Sequence, residues 1–168
     1  PVNPYVFMKK LFEGLEENDI VVTGNGSACV VSFQAAEIKK GQRLFTNSGC
    51  ASMGYGLPAA LGACIAEGEK RVICLDGNGS LMMNLQELQT IRYNNCNMKL
   101  FVLNNNGYHS IRQTRNNLFK NGLIGVCDGN GVNFPPFDKL ADTFGFKYFK
   151  IDSLDGIEEK LQEVLNTD

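Results

Sequence analysis

Two short segments combine glycine with side-chain amides, and each of them follows an apolar run of the chain. The first runs from Asp76 to Ser80 and the second from Asn104 to Tyr108. A glycine turn after a strand exposes backbone N–H groups to an anion, and amide oxygens are suitable ligands for a hard divalent cation. Asn78 and Asn105, which lie 27 residues apart, therefore predict a site that holds a divalent cation against a diphosphate.

A third glycine turn, Gly24 to Ser27, follows the first apolar run and opens a predicted helix whose first-turn amides are free. All three turns are expected at the carboxyl ends of parallel strands, where open α/β sheets bind ligands. Glycine there also has a purely structural explanation, because strand-to-helix turns often need a positive φ. The dinucleotide fingerprint G-x-G-x-x-G and the Walker lysine are both missing from the sequence, which argues against the common nucleotide-binding folds.

Helical and extended patterns alternate along the chain, which predicts an α/β fold with a parallel sheet and helices on both faces. The first helix is expected to begin at Pro4, after the cap Asn3, with Tyr5, Met8, Leu11, Phe12 and Leu15 on one apolar face. Further helices are expected at Ala28 to Glu37, Leu57 to Glu67, Leu81 to Tyr93, Pro136 to Phe144 and Leu154 to Leu165, and the apolar helix from Leu57 is expected to be buried. Strands are expected at Ile20 to Thr23, Leu44 to Phe45, Arg71 to Leu75 and Lys99 to Leu103, with a turn at Asp76 to Ser80 and an extended segment at Lys147 to Ile151. Gly107 to Pro135 is expected to form a short helix followed by a mobile loop.

The length and charge of the chain limit the classes of molecule that it is expected to bind. The chain has 168 residues and 43% apolar residues, which suits one domain. The net charge of −2 and the scattered basic residues indicate neither nucleic acid nor a membrane surface as a partner, so a small molecule is expected. The chain opens without a methionine or a signal peptide and has no apolar run of transmembrane length, so we expect a cytoplasmic fragment with six reduced cysteines.

With these residues in place, the chain resembles the C-terminal, diphosphate-binding domain of thiamine-diphosphate enzymes of the acetolactate synthase type. The family signature is a G-D-G-S turn followed some 25 to 30 residues later by N-N, and the chain has Gly77 to Ser80 and then Asn104-Asn105. The segments Asn47 to Pro58 and Asn84 to Leu88 are also similar to the family. The resemblance implies that residues 1–168 form a single diphosphate-binding domain, the C-terminal part of a larger three-domain enzyme.

The resemblance also implies a set of site residues. Asn78 and Asn105 would bind Mg²⁺ through side-chain oxygens and Gly107 through its carbonyl. Met53 would support the bent cofactor, and the carbonyl of Ala51 would accept a hydrogen bond from its amine. The cofactor-binding set implied by the family comprises Gly26, Ser27, Ala28, Ala51, Met53, Gly77, Gly79, Ser80, Tyr108 and His109.

The activity implied by the resemblance is decarboxylation of a 2-oxo acid and ligation of the enamine to a second carbonyl compound. Ile111 supports the carboligating branch, because the simple pyruvate decarboxylases have a glutamate there. An aldehyde-releasing 2-oxo acid decarboxylase is the alternative. The activating glutamate would come from a pyrimidine-binding domain that is missing here, usually from a second subunit. We therefore expect a homodimer or homotetramer as the full enzyme, and a fragment that is inactive alone.

One position departs from the family pattern. Asn78 stands where the family usually has an aspartate as its first metal ligand, so the site loses a negative charge. An amide oxygen still suits Mg²⁺, and weaker metal binding is expected. Asp76 is a possible substitute ligand, although it lies two residues away. A non-catalytic module that keeps the fold remains a third hypothesis. His109 is a candidate acid or base, or a backbone contributor to the diphosphate loop.

Overall fold

The computed structural model describes residues 2–68, 70–119 and 122–167, and positions 120 and 121 of the expected loop lie outside this part. The described residues form four strands and eight helices in an alternating order. The strands are β1 (Ile20–Thr23), β2 (Arg43–Phe45), β3 (Val72–Gly77) and β4 (Met98–Leu103). The helices are α1 (Pro4–Gly14), α2 (Ser27–Ala35), α3 (Gly56–Glu67), α4 (Asn78–Leu81), α5 (Glu87–Tyr93), α6 (His109–Leu118), α7 (Phe137–Thr143) and α8 (Ile157–Asn166).

All four strands are parallel and lie in the order β2-β1-β3-β4. Successive side chains of a strand point to opposite faces of the sheet. Val21, Ile73 and Leu75 accordingly pack into one core with α1, α2 and α8, whereas Val22 and Cys74 pack into a second core with α3 and α5. This double burial explains why the strands are apolar throughout, and it confirms the expected α/β fold with helices on both faces.

The sheet order brings the three glycine and amide turns to one edge. β1 pairs with β3 so that Thr23 lies opposite Leu75, and β3 pairs with β4 so that Gly77 lies opposite Leu103. The turns after these three strands are therefore neighbours at the carboxyl end of the sheet. This is the edge at which open α/β sheets bind ligands.

The first helix forms as its sequence predicts. Asn3 caps α1, because its side-chain oxygen accepts hydrogen bonds from the backbone N–H of Tyr5 at 2.9 Å and of Val6 at 3.4 Å. The predicted apolar face is buried at Met8, Leu11, Phe12 and Leu15. Tyr5 departs from the prediction, since it is half exposed and donates its hydroxyl proton to Gln34.

The expected turn at Asp76 to Ser80 and the expected helix at Leu81 to Tyr93 are both wrong in outline. β3 continues to Gly77, α4 begins at Asn78, and the helix is interrupted before α5 begins at Glu87. At the interruption, the side chain of Asn84 donates to the carbonyl of Gly54, thirty residues earlier in the chain, at 2.7 Å. This bond fixes a turn between α4 and α5 in which each backbone hydrogen bond joins two residues three positions apart, as from Asn84 to Leu81.

Three smaller expectations also change. α2 ends at Ala35, two residues earlier than expected. α3 buries one face and leaves Ile65 exposed, so the helix is not buried all round. Lys147 to Ile151 forms no strand in the described structure, and β4 is the last strand of the sheet there. The short helix expected after Gly107 does form, as α6. Cys127, in the segment after α6, forms a backbone bridge with Gly107, which lies before the helix.

All six cysteines carry free thiols, as expected. Cys64 and Cys74 are buried, whereas Cys50 is exposed. Burial raises the pKa of the Cys64 thiol to about 12, with a smaller contribution from the neighbouring Cys96. Across the described ranges, no helix is both long and apolar enough to cross a membrane.

Candidate functional site

The turn after β1 presents the amino terminus of α2 to the edge of the sheet. Gly26 precedes α2 with φ 60°, a left-handed conformation that favours glycine, and it has no side chain to cap the helix. The first backbone N–H groups of α2, at Ser27 and Ala28, therefore point out of the helix start. A Cβ added at Gly26 would lie 3.5 Å from the Ser110 hydroxyl, so α6 begins beside α2. The amino termini of α2 and α6, helices of 9 and 10 residues, thus lie close together, and this is a suitable position for an anion.

The segment before α3 is tied to both neighbouring turns by hydrogen bonds. Asn25 donates from Nδ2 to the carbonyl oxygen of Ala51 at 3.3 Å and accepts from the hydroxyl of Ser80 at 2.7 Å. The Ser80 hydroxyl also accepts from the backbone N–H of Gly54 at 3.2 Å. Ala51 adopts φ 49°, which an alanine rarely does, and Met53 lies half-buried two residues later. These bonds hold Ala51 and Met53 beside the end of β3.

Asn78 is almost fully buried at the start of α4, and both ends of its amide are bonded. Its Oδ1 accepts from the backbone N–H of Gly79 at 2.9 Å, and its Nδ2 donates to Oδ1 of Asn104 at 2.9 Å. Asn104 also accepts from the backbone N–H of Asn106 at 3.3 Å. The structure thus brings Asn78 to the turn after β4, where Asn105 follows Asn104. The two predicted metal ligands lie at the same edge of the sheet.

Asn105 differs from Asn78, because its side-chain oxygen is buried and has no hydrogen-bond partner among the described residues. Its backbone carbonyl accepts from Arg112 at 3.0 Å, so the residue itself is held in place. A buried acceptor without a partner costs about 1–3 kcal/mol and is rare in proteins. The Asn105 Oδ1 atom is chemically suited to a hard cation, and this fits the Mg²⁺ that the sequence analysis expects.

The segment after β4 covers the turn after β3. The ring of Tyr108 packs on Gly79 so closely that a side chain at Gly79 would overlap it. Tyr108 also packs edge to face with Phe134, with ring centroids 6.4 Å apart. Gly107 forms the backbone bridge to Cys127, and Tyr108 donates its N–H to the carbonyl of Val126 at 2.8 Å. This cover keeps Gly79 away from solvent.

His109 begins α6 and is exposed. Its Nδ1 lies 3.5 Å from a guanidinium nitrogen of Arg112, whose own bond to the Asn105 carbonyl is shorter. No described contact joins the His109 ring to Asn78, Ser80 or Ala51. The structure therefore places His109 at the rim of the candidate site.

Asp76 is fully buried in β3 and its carboxylate lies against the backbones of Gly24 and Gly56. A Cβ at Gly56 would lie 2.7 Å from Oδ2 of Asp76, so the close approach depends on glycine. Burial raises the pKa of Asp76 to about 6, while the hydrogen bond from the Gly77 N–H acts to lower it. Its Oδ2 has no hydrogen-bond partner in the described part of the chain. The carboxylate therefore lies beside the end of β1 and the start of α3.

A metal at this edge would need amide, backbone and ligand oxygens. Within residues 2–68, 70–119 and 122–167, no group of three or more His, Cys, Asp or Glu side chains could hold a metal ion. The candidate oxygens are those of the Asn105 and Asn78 side chains, and the family resemblance adds the carbonyl of Gly107. A diphosphate would add charged oxygens to this neutral set. The residues present thus fit a metal that arrives with a diphosphate.

Comparison with known proteins decides the family of the chain. Residues 24–168 match the model described as thiamine pyrophosphate enzyme, C-terminal TPP binding domain, thiamine pyrophosphate being thiamine diphosphate. The chain belongs to this family. The match includes the turn after β1 and everything that follows it, so the whole candidate site lies in the thiamine pyrophosphate binding domain.

Individual relatives of this thiamine pyrophosphate binding domain are acetolactate synthases. Acetolactate synthase isozyme 1 large subunit of Escherichia coli (strain K12) is 28% identical over 166 residues, which cover 99% of this chain and 29% of that protein. Acetolactate synthase 1, chloroplastic, of Nicotiana tabacum is 31% identical over 170 residues, with 99% and 26% covered. A probable acetolactate synthase large subunit of Methanococcus aeolicus is 30% identical over 173 residues, with 100% and 28% covered. The chain spans less than a third of the length of these relatives.

Sequence reasoning passed over three asparagines that connect the site. Asn25 joins the turn after β1 to Ser80 and Ala51, Asn84 fixes Gly54, and Asn104 bonds Asn78. Asn104 stood inside the recognised motif, but the family spacing directed attention to Asn105. Asn25 lies between two glycines at the end of β1, and an amide in such a glycine turn was the sequence feature that could have indicated its role.

Proposed function

We propose that residues 1–168 are the diphosphate-binding domain of a larger, three-domain enzyme that requires thiamine diphosphate and Mg²⁺. The enzyme decarboxylates a 2-oxo acid and joins the remaining fragment to a second carbonyl compound, giving an acyloin or an acetohydroxy acid. Membership of the thiamine pyrophosphate family and similarity to acetolactate synthase subunits along nearly the whole chain support this proposal.

The observation that carries the proposal is the unpartnered oxygen of Asn105. It is a buried amide acceptor in the turn between β4 and α6, at the edge where open α/β sheets bind ligands. A folded protein tolerates such an atom when a ligand completes its bonding. A magnesium ion bound to a diphosphate satisfies both the amide oxygen and the free N–H groups of α2.

The metal is held by Asn105, Asn78 and the carbonyl of Gly107. The Asn78 oxygen already accepts the Gly79 N–H and offers its second lone pair to the metal. The bond from Asn78 Nδ2 to Asn104 sets the direction of the amide, so that its oxygen and not its nitrogen faces away from Asn104. Because the set is neutral, the diphosphate supplies the charge that holds Mg²⁺.

The remaining residues position the organic part and the phosphates. The N–H groups of Gly26, Ser27 and Ala28 and the hydroxyl of Ser80 bind the diphosphate. Gly77 and Gly79 shape the turn that carries Ser80, since their own N–H groups donate to Asp76 and Asn78. The Ala51 carbonyl accepts a hydrogen bond from the cofactor amine, and Met53 supports the bend. When bound, thiamine diphosphate supplies a carbon nucleophile and an electron sink for decarboxylation.

Exclusion of water separates carboligation from aldehyde release. Tyr108 and Phe134 pack into an apolar cover beside Gly79. Ile111 on α6 adds an apolar side chain at a position where a proton donor would favour release of an aldehyde. His109 contributes backbone at the start of α6. With the cofactor bound, these apolar side chains would exclude water from it, which favours ligation over release of an aldehyde.

The full enzyme supplies what this domain lacks. We propose that a pyrimidine-binding domain, from a second subunit of a homodimer or homotetramer, contributes the activating glutamate, and that the enzyme works in the cytoplasm. The exposed apolar side chains of α6 and the segment after it, at Ile111, Leu118, Phe119 and Ile124, leave a face that such a domain would cover. Alone, these residues neither turn over substrate nor bind the cofactor tightly.

The experiment is product analysis of the full-length protein with pyruvate, thiamine diphosphate and Mg²⁺. Carboligation gives acetolactate or an acyloin and consumes two carbonyl compounds for each product. Acetaldehyde in equal amount to the CO₂ released would support the simple decarboxylase instead. Absence of cofactor binding by calorimetry, both in the natural protein and in Asn78→Asp, would support a non-catalytic module.

A further inference from the structure

The side chain of Asn25 bridges two atoms that belong to different parts of the candidate site. Its Nδ2 donates to the Ala51 carbonyl at 3.3 Å, and its Oδ1 accepts the proton of the Ser80 hydroxyl at 2.7 Å. We call these three residues the Asn25 clasp. A single primary amide thus uses its donor end on one segment and its acceptor end on another.

Each atom that Asn25 engages is one that the proposed cofactor needs. The Ala51 carbonyl is the acceptor for the cofactor amine, and the Ser80 hydroxyl is a donor to the diphosphate. A serine hydroxyl has one proton, so Ser80 cannot donate to Asn25 and to a phosphate at the same time. Ser80 is also only 3% exposed, and the Asn25 side chain is part of what covers it.

Other contacts hold the surrounding segment without help from Asn25. The Ser80 hydroxyl accepts from the Gly54 N–H at 3.2 Å, and the Gly54 carbonyl accepts from Asn84 at 2.7 Å. The Ala51 N–H is bonded to the Asn47 carbonyl at 2.7 Å. Removing the Asn25 side chain therefore frees the Ala51 carbonyl and the Ser80 proton while these other bonds remain.

The partial exposure of Asn25 allows its side chain to move. Asn25 lies between Gly24 and Gly26, and Gly26 has φ 60°. The Asn25 side chain is half-buried, so it can turn toward solvent without opening the core.

We propose that Asn25 is a placeholder for the cofactor. In the free protein it bonds the Ala51 carbonyl and the Ser80 hydroxyl, and the cofactor displaces it from both when it binds. The clasp keeps these two polar groups satisfied while the site is free, but it makes the cofactor compete with a side chain of the protein. This inference rests on the proposed function, and it adds that cofactor affinity is held below the value that the binding groups alone would give.

The test compares Asn25→Ala and Asn25→Asp in the full-length protein, with thiamine diphosphate and saturating Mg²⁺ as the probe. Calorimetry gives the Kd and stopped-flow mixing gives the association rate. Asn25→Ala should bind about fivefold more tightly and associate faster, because about one hydrogen bond no longer has to be broken. Asn25→Asp should bind more weakly than the natural protein, because it keeps the acceptor for Ser80 and adds a negative charge beside the diphosphate. A purely structural role for Asn25 predicts weaker binding in both variants.

Asn94→Ala is the matched control, since it removes an asparagine side chain that bonds a backbone carbonyl at the end of α5, away from the site. Its Kd should equal that of the natural protein. If Asn25→Ala does not fold, Asn25→Ser serves in its place, since it also removes the amide. Equal or weaker binding by the folded alanine or serine variant overturns the placeholder while leaving the proposed function standing. Failure of the natural protein to bind the cofactor at all overturns the proposed function itself.

Discussion

The two ends of the sheet differ in how completely their buried polar side chains are hydrogen-bonded. At the carboxyl end, three buried side-chain oxygens have no partner within the described ranges, and one lies at or just after the end of each of three adjacent strands: Thr23, Asp76 and Asn105. At the amino end, the buried Asp19 is bonded through both carboxylate oxygens. At the amino end the buried carboxylate is therefore bonded within the fold, whereas at the carboxyl end three buried oxygens are not.

The amino end is built around an ion pair. Arg71 bonds Asp19 through Nε at 3.0 Å and through Nη2 at 2.5 Å, and Asp19 also accepts from the Glu16 N–H at 2.7 Å. Arg71 reaches the Leu165 carbonyl at 3.4 Å and thereby ties the end of α8 to the sheet. The side chains of Asp19 and Arg71 are 5% and 12% exposed. This end is therefore expected to matter for stability and not for ligand binding.

The largest expected effect comes from breaking that ion pair. Arg71→Met leaves the Asp19 carboxylate buried without its partner, and loss of one member of a buried pair costs about 3–5 kcal/mol. The free energy of unfolding from urea titration at neutral pH should fall by this amount. The Kd for thiamine diphosphate should stay within about twofold of the natural value when it is measured on folded protein.

Lys70→Met is the control for Arg71→Met, because the neighbouring Lys70 pairs with Glu67 at the surface. An exposed pair contributes about 0–1 kcal/mol, so this variant should unfold almost like the natural protein. If both variants lose the same stability, or if Arg71→Met weakens cofactor binding strongly, the division between the two ends of the sheet is wrong.

The next effect depends on pH and concerns Asp76. Its pKa is raised to about 6 from an ordinary value of 3.8, so the folded state favours the protonated form. The associated stability is fully present below about pH 4 and is lost as the pH rises through about 6. Asp76→Asn removes this dependence while keeping an acceptor for the Gly77 N–H. At pH 8 it should be more stable than the natural protein by up to about 3 kcal/mol.

This comparison is made by urea unfolding between pH 4 and pH 8, without metal or cofactor. The difference between Asp76→Asn and the natural protein should grow between about pH 4 and pH 6 and then stay constant up to pH 8, because the carboxyl is ionised in both the folded and the unfolded state there. A difference that is already constant between about pH 4 and pH 6 would mean that Asp76 does not titrate there, and the account of its burial would then be wrong.

A smaller effect is expected from Asn78→Asp. The carboxylate adds the negative charge that the family usually has, and Mg²⁺ affinity in the presence of thiamine diphosphate should rise about tenfold. The same change removes the donor to Asn104 and places two acceptors together, so metal-free stability should fall by about 1 kcal/mol. Calorimetry with Mg²⁺ and urea unfolding measure the two changes. Asn106→Asp, on the exposed loop nearby, adds the same charge and should change neither by as much; equal effects in both variants would rule out a direct role of position 78.

The strands and the order of the elements could be predicted from the sequence, because apolar runs bounded by glycine turns leave few alternatives. β1 runs from Ile20 to Thr23 as expected, and Asn3 caps α1 as expected. The interruption between α4 and α5 could not be predicted, because it depends on a bond from Asn84 to Gly54, thirty residues away in the chain. Local pattern carries no information about that contact.

In the candidate site, too, some features could be predicted from the sequence and others could not. The motif placed Asn78 and Asn105 at neighbouring strand ends, and the sheet order brings those ends together. The different bonding of the two amides was not predictable, because it depends on the direction in which each side chain points. The bridging role of Asn25 was likewise beyond the sequence, since Ser80 and Ala51 approach it only in the folded chain.

The measurement that tests the central claim most directly is calorimetric titration of thiamine diphosphate, with and without Mg²⁺, into the full-length protein and Asn105→Leu. The natural protein should show Mg²⁺-dependent binding. Asn105→Leu should lose at least about tenfold in affinity, while its free energy of unfolding stays the same or rises by up to about 1 kcal/mol, because a buried unpartnered acceptor has been removed. Unchanged Mg²⁺-dependent affinity in Asn105→Leu would contradict the claim that this edge of the sheet holds the metal and the diphosphate.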